Sequence, residues 1–516
     1  MTARVLVRER IADKGIELLR EKFEVTVDAD SPLEDIIGGY EALIVRSATK
    51  VTADLLEHAD RLKVVGRAGV GVDNVDVDAA TRRGIVVANA PESNVISAAE
   101  HTIGLLVALA RNIPQAHAAL IEGRWERSKW GGVELADKTL GVLGFGRIGR
   151  QVARRAIGLQ MKVVAYDPYV VGERFRELGV EHATLADVLA RSDFVTLHLP
   201  LNDETRGSID AAAFAGMRDG VRIVNAARGE LVDDRALIDA LESGKVAGAA
   251  IDVFAEEPYS GPLLHAPNVV VTPHLAASTD EAQDRAGVIV AEQVAAALEG
   301  GLVTNAVNIP AIGPDDLEVL GPFLPLAAKL GRLAVQLAGE VRQIQVEVIG
   351  QLADYDTRLL TVAVLGGAFQ GQSEDPVNYV NAPLIAAERG VDVVEEKRRS
   401  SRDYTNLLAV SANGARVAGT TIGTGDRQWL VSALGFDLEI ELARRMILLR
   451  YDDIPGVIGR VGTLLGAADV NIANMTVSRN RKGEKALMAL SIDSPAPPEL
   501  VAQLEEGMDE AYVMEL

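Results

Sequence analysis

An arginine, a glutamate and a histidine stand just beyond the carboxyl ends of three neighbouring apolar runs. VRIVNA (221–226) leads into Ala227 and Arg228, VAGAAID (246–252) leads to Glu257 beside Pro258, and VVVT (269–272) leads to Pro273 and His274. These types suit one reaction, the oxidation of a secondary alcohol to a ketone by hydride transfer. A hydroxyl proton must be removed as the hydride leaves, and an imidazole titrates close enough to neutrality to take it and return it in reverse. Glu257 on the other ring nitrogen of His274 would hold the tautomer. The planar guanidinium of Arg228 can grip a substrate carboxylate with two parallel hydrogen bonds and polarise the keto oxygen. Singly, each is an ordinary surface or turn residue. The order Arg, Glu, His on successive strand ends is what points to chemistry.

The hydride needs an acceptor, and residues 139–168 offer a place for one. An apolar run, Thr139 to Leu143, meets Gly144-Phe145-Gly146-Arg147-Ile148-Gly149, and a helix follows with Ile148, Val152 and Ala156 at four-residue spacing. A second strand, Met161 to Tyr166, delivers Asp167 eighteen residues after Gly149. In this pattern Gly144 makes the tight turn, Gly146 lets the backbone approach a pyrophosphate, and Gly149 lets helix and strand pack closely. The helix start adds free N–H groups and partial positive charge. Asp167 would accept the two hydroxyls of an adenosine ribose and repel a 2′-phosphate, so NAD is expected rather than NADP.

The elements that must position these groups alternate. RVLV (4–7), FEVTV (23–27), ALIVR (42–46), LKVVG (62–66) and IVVA (85–88) read as strands, with helices such as Ile11 to Lys22 and Thr52 to His58 between them. That alternation predicts a parallel sheet covered by helices. A long helix from Ser93 leads to the fingerprint, and strands at 194–199, 221–226, 246–252 and 269–272 extend a second doubly wound sheet. A helix from about Thr279 to Glu299 is expected to return the chain to the first sheet. The expected domains are therefore 1–95 with 282–307 for substrate, 96–281 for the dinucleotide, an α+β unit at 311–437, and a ferredoxin-like βαββαβ unit at 444–516.

Composition narrows the setting. The 516 residues carry a net charge of −22, which argues against nucleic acid or an anionic membrane as partner. An anionic substrate then requires locally concentrated cations. There is no cysteine, hence no disulfide, thiolate nucleophile or Cys-type zinc site, and no metal is expected. The start of the chain lacks a signal-peptide core and no apolar stretch is long enough to span a bilayer, so a soluble cytoplasmic protein is expected.

The stretches VRSATKV (45–51), GRAGVGVDNVD (66–76), LGFGRIG (143–149), NAARGELVD (225–233), DVFAEEP (252–258) and PHLAAST (273–279) resemble the D-isomer-specific 2-hydroxyacid dehydrogenases. The resemblance covers the whole chain, with 446–516 similar to an ACT domain. It implies catalytic roles for Arg228, Glu257 and His274. Cofactor contacts are implied at Arg147, Ile148 and Asp167, at Asn225, Ala226 and Ala227, at Asp252, and from His274 through Leu275 and Ala276 to Ala277. The substrate implied is 3-phosphoglycerate, oxidised in the first step of L-serine synthesis. Arg46 and Ser47, the turn Gly69-Val70-Gly71 with Asn74, and a basic cluster of Arg124, Arg127 and Lys129 are its candidate contacts. Arg127 and Lys129 are implied to reach across a dimer interface in a homo-oligomer, dimer or tetramer. In the ACT-like unit Tyr451, Asp453 and Asn471 are implied to bind L-serine as effector. Lys397, Arg398, Arg399 and Arg402 form a further candidate anion site. Two alternatives stay open: a glyoxylate or hydroxypyruvate reductase, and a non-catalytic NAD-sensing partner protein.

Overall fold

Four sheets follow one another along the chain in a computed structural model that describes residues 2–310, 313–372, 377–400, 403–423, 427–480 and 484–516. The first sheet has five parallel strands, Arg4–Val7, Glu24–Val27, Ala42–Val45, Val64–Arg67 and Val86–Ala88, in spatial order second, first, third, fourth, fifth. Its central strands are continuous apolar runs because helices cover both faces. On one face, Ile16 and Leu19 of the helix Asp13–Arg20 share a core with Ala286, Val290, Ala291 and Val294 of the helix Asp280–Leu298. That second helix arrives from far along the chain, and Thr279 caps its start by accepting from the Ala282 amide. On the other face lie Leu33–Ile36, Ala53–Glu57 and Val77–Arg82. The first and last of these short helices are not among those expected from sequence.

The second sheet has seven parallel strands. From one edge they run Val269–Val271, Val246–Ile251, Val221–Asn225, Phe194–Leu197, Thr139–Leu143, Lys162–Tyr166 and Glu181–His182. The strand order reverses where Thr139–Leu143 meets Phe194–Leu197, and the crevice beyond such a reversal is where doubly wound sheets take ligands. The three strands expected to present Arg228, Glu257 and His274 are adjacent. The helix Val95–Arg111 packs behind them, and a further helix, Ile113–Ile121, continues from it.

The third sheet is mixed and six-stranded, with the helices Phe323–Ala338 and Arg358–Phe369 on one face. The fourth is antiparallel, with Ile472–Arg479, Lys485–Ile492, Arg445–Asp452 and Glu510–Glu515 in that order, which is the ferredoxin-like arrangement. Alternation along Arg445–Asp452 divides its residues between two cores. Ile447, Leu449 and Tyr451 face the unit's own helices, whereas Met446 and Leu448 join the core of the third sheet with Phe436, Leu438 and Ile440. The third and fourth sheets are thus sealed by one hydrophobic cluster. No helix among the described residues is long and apolar enough to cross a membrane.

Candidate active site

The dinucleotide turn has the constraints its glycines foretold. Gly144 has φ 92°, a left-handed backbone that side chains rarely adopt, and it presses against the backbone of His198. A β-carbon on Gly149 would collide with the Gly144 carbonyl. At Gly146 the same position opens onto free space, at the start of the twelve-residue helix Arg147–Gly158. Room beside unpaired amides is what a pyrophosphate requires. Asp167 lies at the end of the next strand, and its two oxygens accept from the Phe145 amide at 2.8 Å and the Tyr169 amide at 2.9 Å. One lone pair on each oxygen remains for a ribose. Arg147 pairs with Glu92 at 3.1 Å, and Ile148 is half-buried at the helix start. These residues fit NAD. His198, not singled out from sequence, follows the strand Phe194–Leu197 on the far side of the crevice, where its Nε2 lies 3.0 Å from Thr196 Oγ1. Loss of water around it pushes its pKa down to about 4.

His274 and Glu257 meet. The imidazole Nδ1 lies 2.9 Å from Glu257 Oε2 and 3.1 Å from Oε1, and Oε1 also accepts from the Phe254 amide at 3.1 Å. A carboxylate can only accept, so Nδ1 carries the proton and Nε2 is left free to take one. The pair is open to solvent, with 46% of the His274 side chain and 38% of Glu257 exposed. It borders a cavity of about 530 Å³ that Ser47 and Ala48 close from the first sheet's side. His274 itself has φ 55°, an uncommon conformation held by hydrogen bonds from its amide to the Asp252 and Thr272 carbonyls.

Arg228 is shaped by Asn225, which donates to the Arg228 carbonyl at 2.8 Å and accepts from the Ala227 amide at 3.1 Å. Ala226 packs into the core beneath. The guanidinium reaches across the cleft to Asp73, with Nη2 3.3 Å from Oδ2, and a side chain on Gly71 would run into it. Arg67, at the end of its strand, was also missed from sequence. Burial pulls its pKa below the usual arginine value, and its Nε has no hydrogen-bond partner among the described residues. Arg46, Arg228, Asp73 and Glu9 act on it electrostatically, so three guanidiniums and two carboxylates share this end of the cleft.

Several expected contacts have partners within the protein. Asp252, expected at the nicotinamide, has no exposed surface. It accepts from the amides of Leu275 at 2.8 Å and Ala276 at 2.9 Å, and from Thr272 Oγ1 at 2.5 Å. Burial opposes its ionisation, but these bonds and one from His101 outweigh it and hold the pKa below the usual carboxylate value. Leu275 and Ala277 reach the surface, whereas Ala276 is buried. Asn74, expected to meet an anion, donates to the carbonyls of Arg46 at 2.7 Å and Thr49 at 2.6 Å, so both its N–H groups brace the 46–49 turn. Glu9 braces the same turn through the Arg46, Ala48 and Thr49 amides. Arg46 lines a different pocket, with Arg10, Asp280 and Asp284. Arg127 and Lys129 lie on an exposed segment and border neither cavity; Lys129 is drawn to Glu126 at 3.7 Å and stacks over Trp130.

In the C-terminal unit, Tyr451, an expected effector contact, is only 4% exposed and belongs to the core with Ile447 and Leu449. Asn471 is exposed and donates to Asp493 at 2.6 Å, and Asp453 pairs with Arg479 at 3.4 Å. Lys397, Arg398 and Arg399 are each paired with a carboxylate, and Arg402 lies outside the described residues.

A family model for the NAD binding domain of D-isomer specific 2-hydroxyacid dehydrogenases matches residues 103–276, which makes this an NAD-dependent oxidoreductase. The D-3-phosphoglycerate dehydrogenase intervening domain matches 319–429 and the ACT domain 445–506. The chain belongs to the D-3-phosphoglycerate dehydrogenase family: it is 45% identical to the enzyme of that name from Archaeoglobus fulgidus, over 99% of this chain and 100% of that one. The Synechocystis enzyme is 42% identical over 100% of this chain and 95% of its own. Among solved structures, D-lactate dehydrogenase from Aquifex aeolicus, complexed with NAD and lactic acid, is 28% identical with TM-score 0.53, covering 60% of this chain and 99% of its own. A glyoxylate reductase from Paecilomyes thermophila is 30% identical with TM-score 0.55, covering 59% of this chain and 98% of its own.

Proposed function

We propose that the chain oxidises 3-phospho-D-glycerate to 3-phosphohydroxypyruvate with NAD, under feedback from L-serine. The observation that carries the chemistry is the His274–Glu257 pair facing Ser47 across the cleft. His274 Nε2 takes the hydroxyl proton while Glu257 holds Nδ1–H and stabilises the imidazolium that forms. NAD, held by the Gly144–Gly149 turn and Asp167, would supply the hydride acceptor. Arg228 leaves Asp73 to bind the substrate carboxylate, and Arg46 and Arg67 add positive charge for an anion otherwise repelled by an acidic protein. The relatives' name supports the phosphorylated substrate.

The finer partners belong to the same reading. Ile113, Leu120, Ile121 and Trp125 are at least half exposed on the segment that carries Arg127 and Lys129. A second copy covering that apolar surface would bring those cations to the neighbouring cleft, in a dimer or tetramer. Asp453 and Asn471 remain the candidate L-serine contacts, and a chain without cysteine suits a reducing cytoplasm.

The decisive experiment is NADH oxidation with phosphohydroxypyruvate against unphosphorylated hydroxypyruvate, with and without L-serine. Strong preference for the phosphorylated substrate and inhibition by serine are expected. Equal rates and no response to serine would overturn the substrate and effector assignments while leaving the hydride chemistry intact.

A further inference from the structure

The loop that carries His274 is pinned at both ends by one face of the helix Val95–Arg111. His101 Nε2 lies 3.1 Å from Asp252 Oδ1 and 3.2 Å from Thr272 Oγ1, at the loop's start. One turn earlier on the same face, Ser97 Oγ lies 2.8 Å from Thr279 Oγ1, at the loop's end. Between these two points the chain makes a left-handed turn at His274 and turns back twice, at the Leu275 and Ala276 amides, onto the Asp252 carboxylate. His101 plays no part in the proton transfer described above, and its sequence context, an ordinary helix, gave no reason to select it.

We propose that His101 is a positioning residue for the proton-transfer group: by donating to Asp252 it sets the orientation of the carboxylate that holds the His274 loop. This rests on the reading of His274 as the group that takes the proton. The tautomer follows from the partners. Asp252 can only accept, and the Thr272 hydroxyl already spends its proton on Asp252 Oδ1 at 2.5 Å, so His101 Nε2 must bear hydrogen. Its Nδ1 has no partner among the described residues, leaving Asp252 and Thr272 Oγ1 as the contacts that fix the ring. The carboxylate has no exposed surface, so while a side chain of the same bulk fills the His101 position, water does not replace the donor that is removed. Without His101, Oδ1 keeps only the Thr272 hydroxyl and the Leu275 amide. The carboxylate can then rotate, and the amides after His274 move with it. Proton transfer depends on sub-ångström placement, so the loss should fall on turnover rather than on cofactor affinity.

The experiment compares three variants of the full-length enzyme in the NADH-oxidation assay, with NADH affinity measured separately by fluorescence. His101→Phe keeps the bulk and removes the donor. His101→Asn leaves an amide too short to reach Asp252. His101→Gln places an amide N–H close to where Nε2 stood. The expected result is a fall in kcat of about 10- to 100-fold for Phe and Asn, NADH affinity within about threefold of wild type, and recovery to within about fivefold for Gln. Should the Phe variant fail to fold, the contrast between Asn and Gln decides. Unchanged kcat in Phe and Asn, equal losses in all three, or NADH affinity falling in step with kcat would each overturn the proposal. His274→Ala in the same assay keeps the two readings apart: substantial residual activity there refutes His274 as the base, whatever His101 does.

Discussion

Two carboxylate–imidazole pairs sit within one loop's width of each other and differ in almost everything except composition. Glu257 and His274 are both more than a third exposed, and the pair keeps one ring nitrogen free. Asp252 has no exposure and His101 23%, and both carboxylate oxygens are engaged by the protein, Oδ1 by three donors and Oδ2 by one. Exposure explains the division of labour. A group that must gain and lose a proton each turnover needs access to substrate and a spare lone pair. A buried carboxylate stays ionised only if donors outweigh the cost of burial, and the same donors hold it still. On the proposed reading, the same two side-chain types serve as a proton carrier in one place and an anchor in the other.

Breaking the exposed pair should have the largest effect. His274→Ala is expected to lower kcat by about 10²- to 10⁴-fold with NADH affinity little changed, the usual contribution of general acid–base catalysis. Breaking the buried pair should damage stability as well as rate. Asp252→Ala strands the Leu275 and Ala276 amides and the Thr272 hydroxyl, and urea unfolding should show a loss of about 2–4 kcal/mol, a cost that Glu257→Ala should not share. A third imidazole sharpens the contrast through pH. His198 is neutral when folded down to about 4, against about 6.5 unfolded, so the unfolded chain binds the extra proton and stability falls as pH drops from about 6.5 towards 4. His198→Asn should flatten that part of the curve by up to about 3 kcal/mol, read from urea midpoints at several pH values. Smallest should be Gly71→Ala, whose new methyl group crowds Arg228: a KM for the keto acid raised about three- to tenfold, with kcat within about twofold.

Legibility tracked local chemistry. The glycine turn, Asp167 and the strand ends bearing Arg228, Glu257 and His274 were visible because each is a short pattern with its own physical reason. Asn74 and Asp252 lie in the expected neighbourhood, where each also braces a loop. A polar residue at a strand end can face the ligand or brace the loop, and sequence contains nothing to separate the two. Tyr451 was read as a ligand contact, yet the alternation along Arg445–Asp452 points it inward with Ile447 and Leu449. That period-two signal was available. His101, Arg67 and Glu9 carried no such signal, since each gains its meaning from a partner distant in sequence.

The sequence alone determined the order of strands and helices, the turn for a dinucleotide, and which residue types lie at the mouth of the second sheet, because these follow from periodicity, glycine spacing and the rules of parallel sheets. Tertiary structure decided which polar groups are spent inside the protein and which remain for a ligand. Burial and hydrogen-bond partners are set by chain segments far apart in sequence, as where helix Val95–Arg111 meets the loop after Thr272, and no local pattern encodes that meeting.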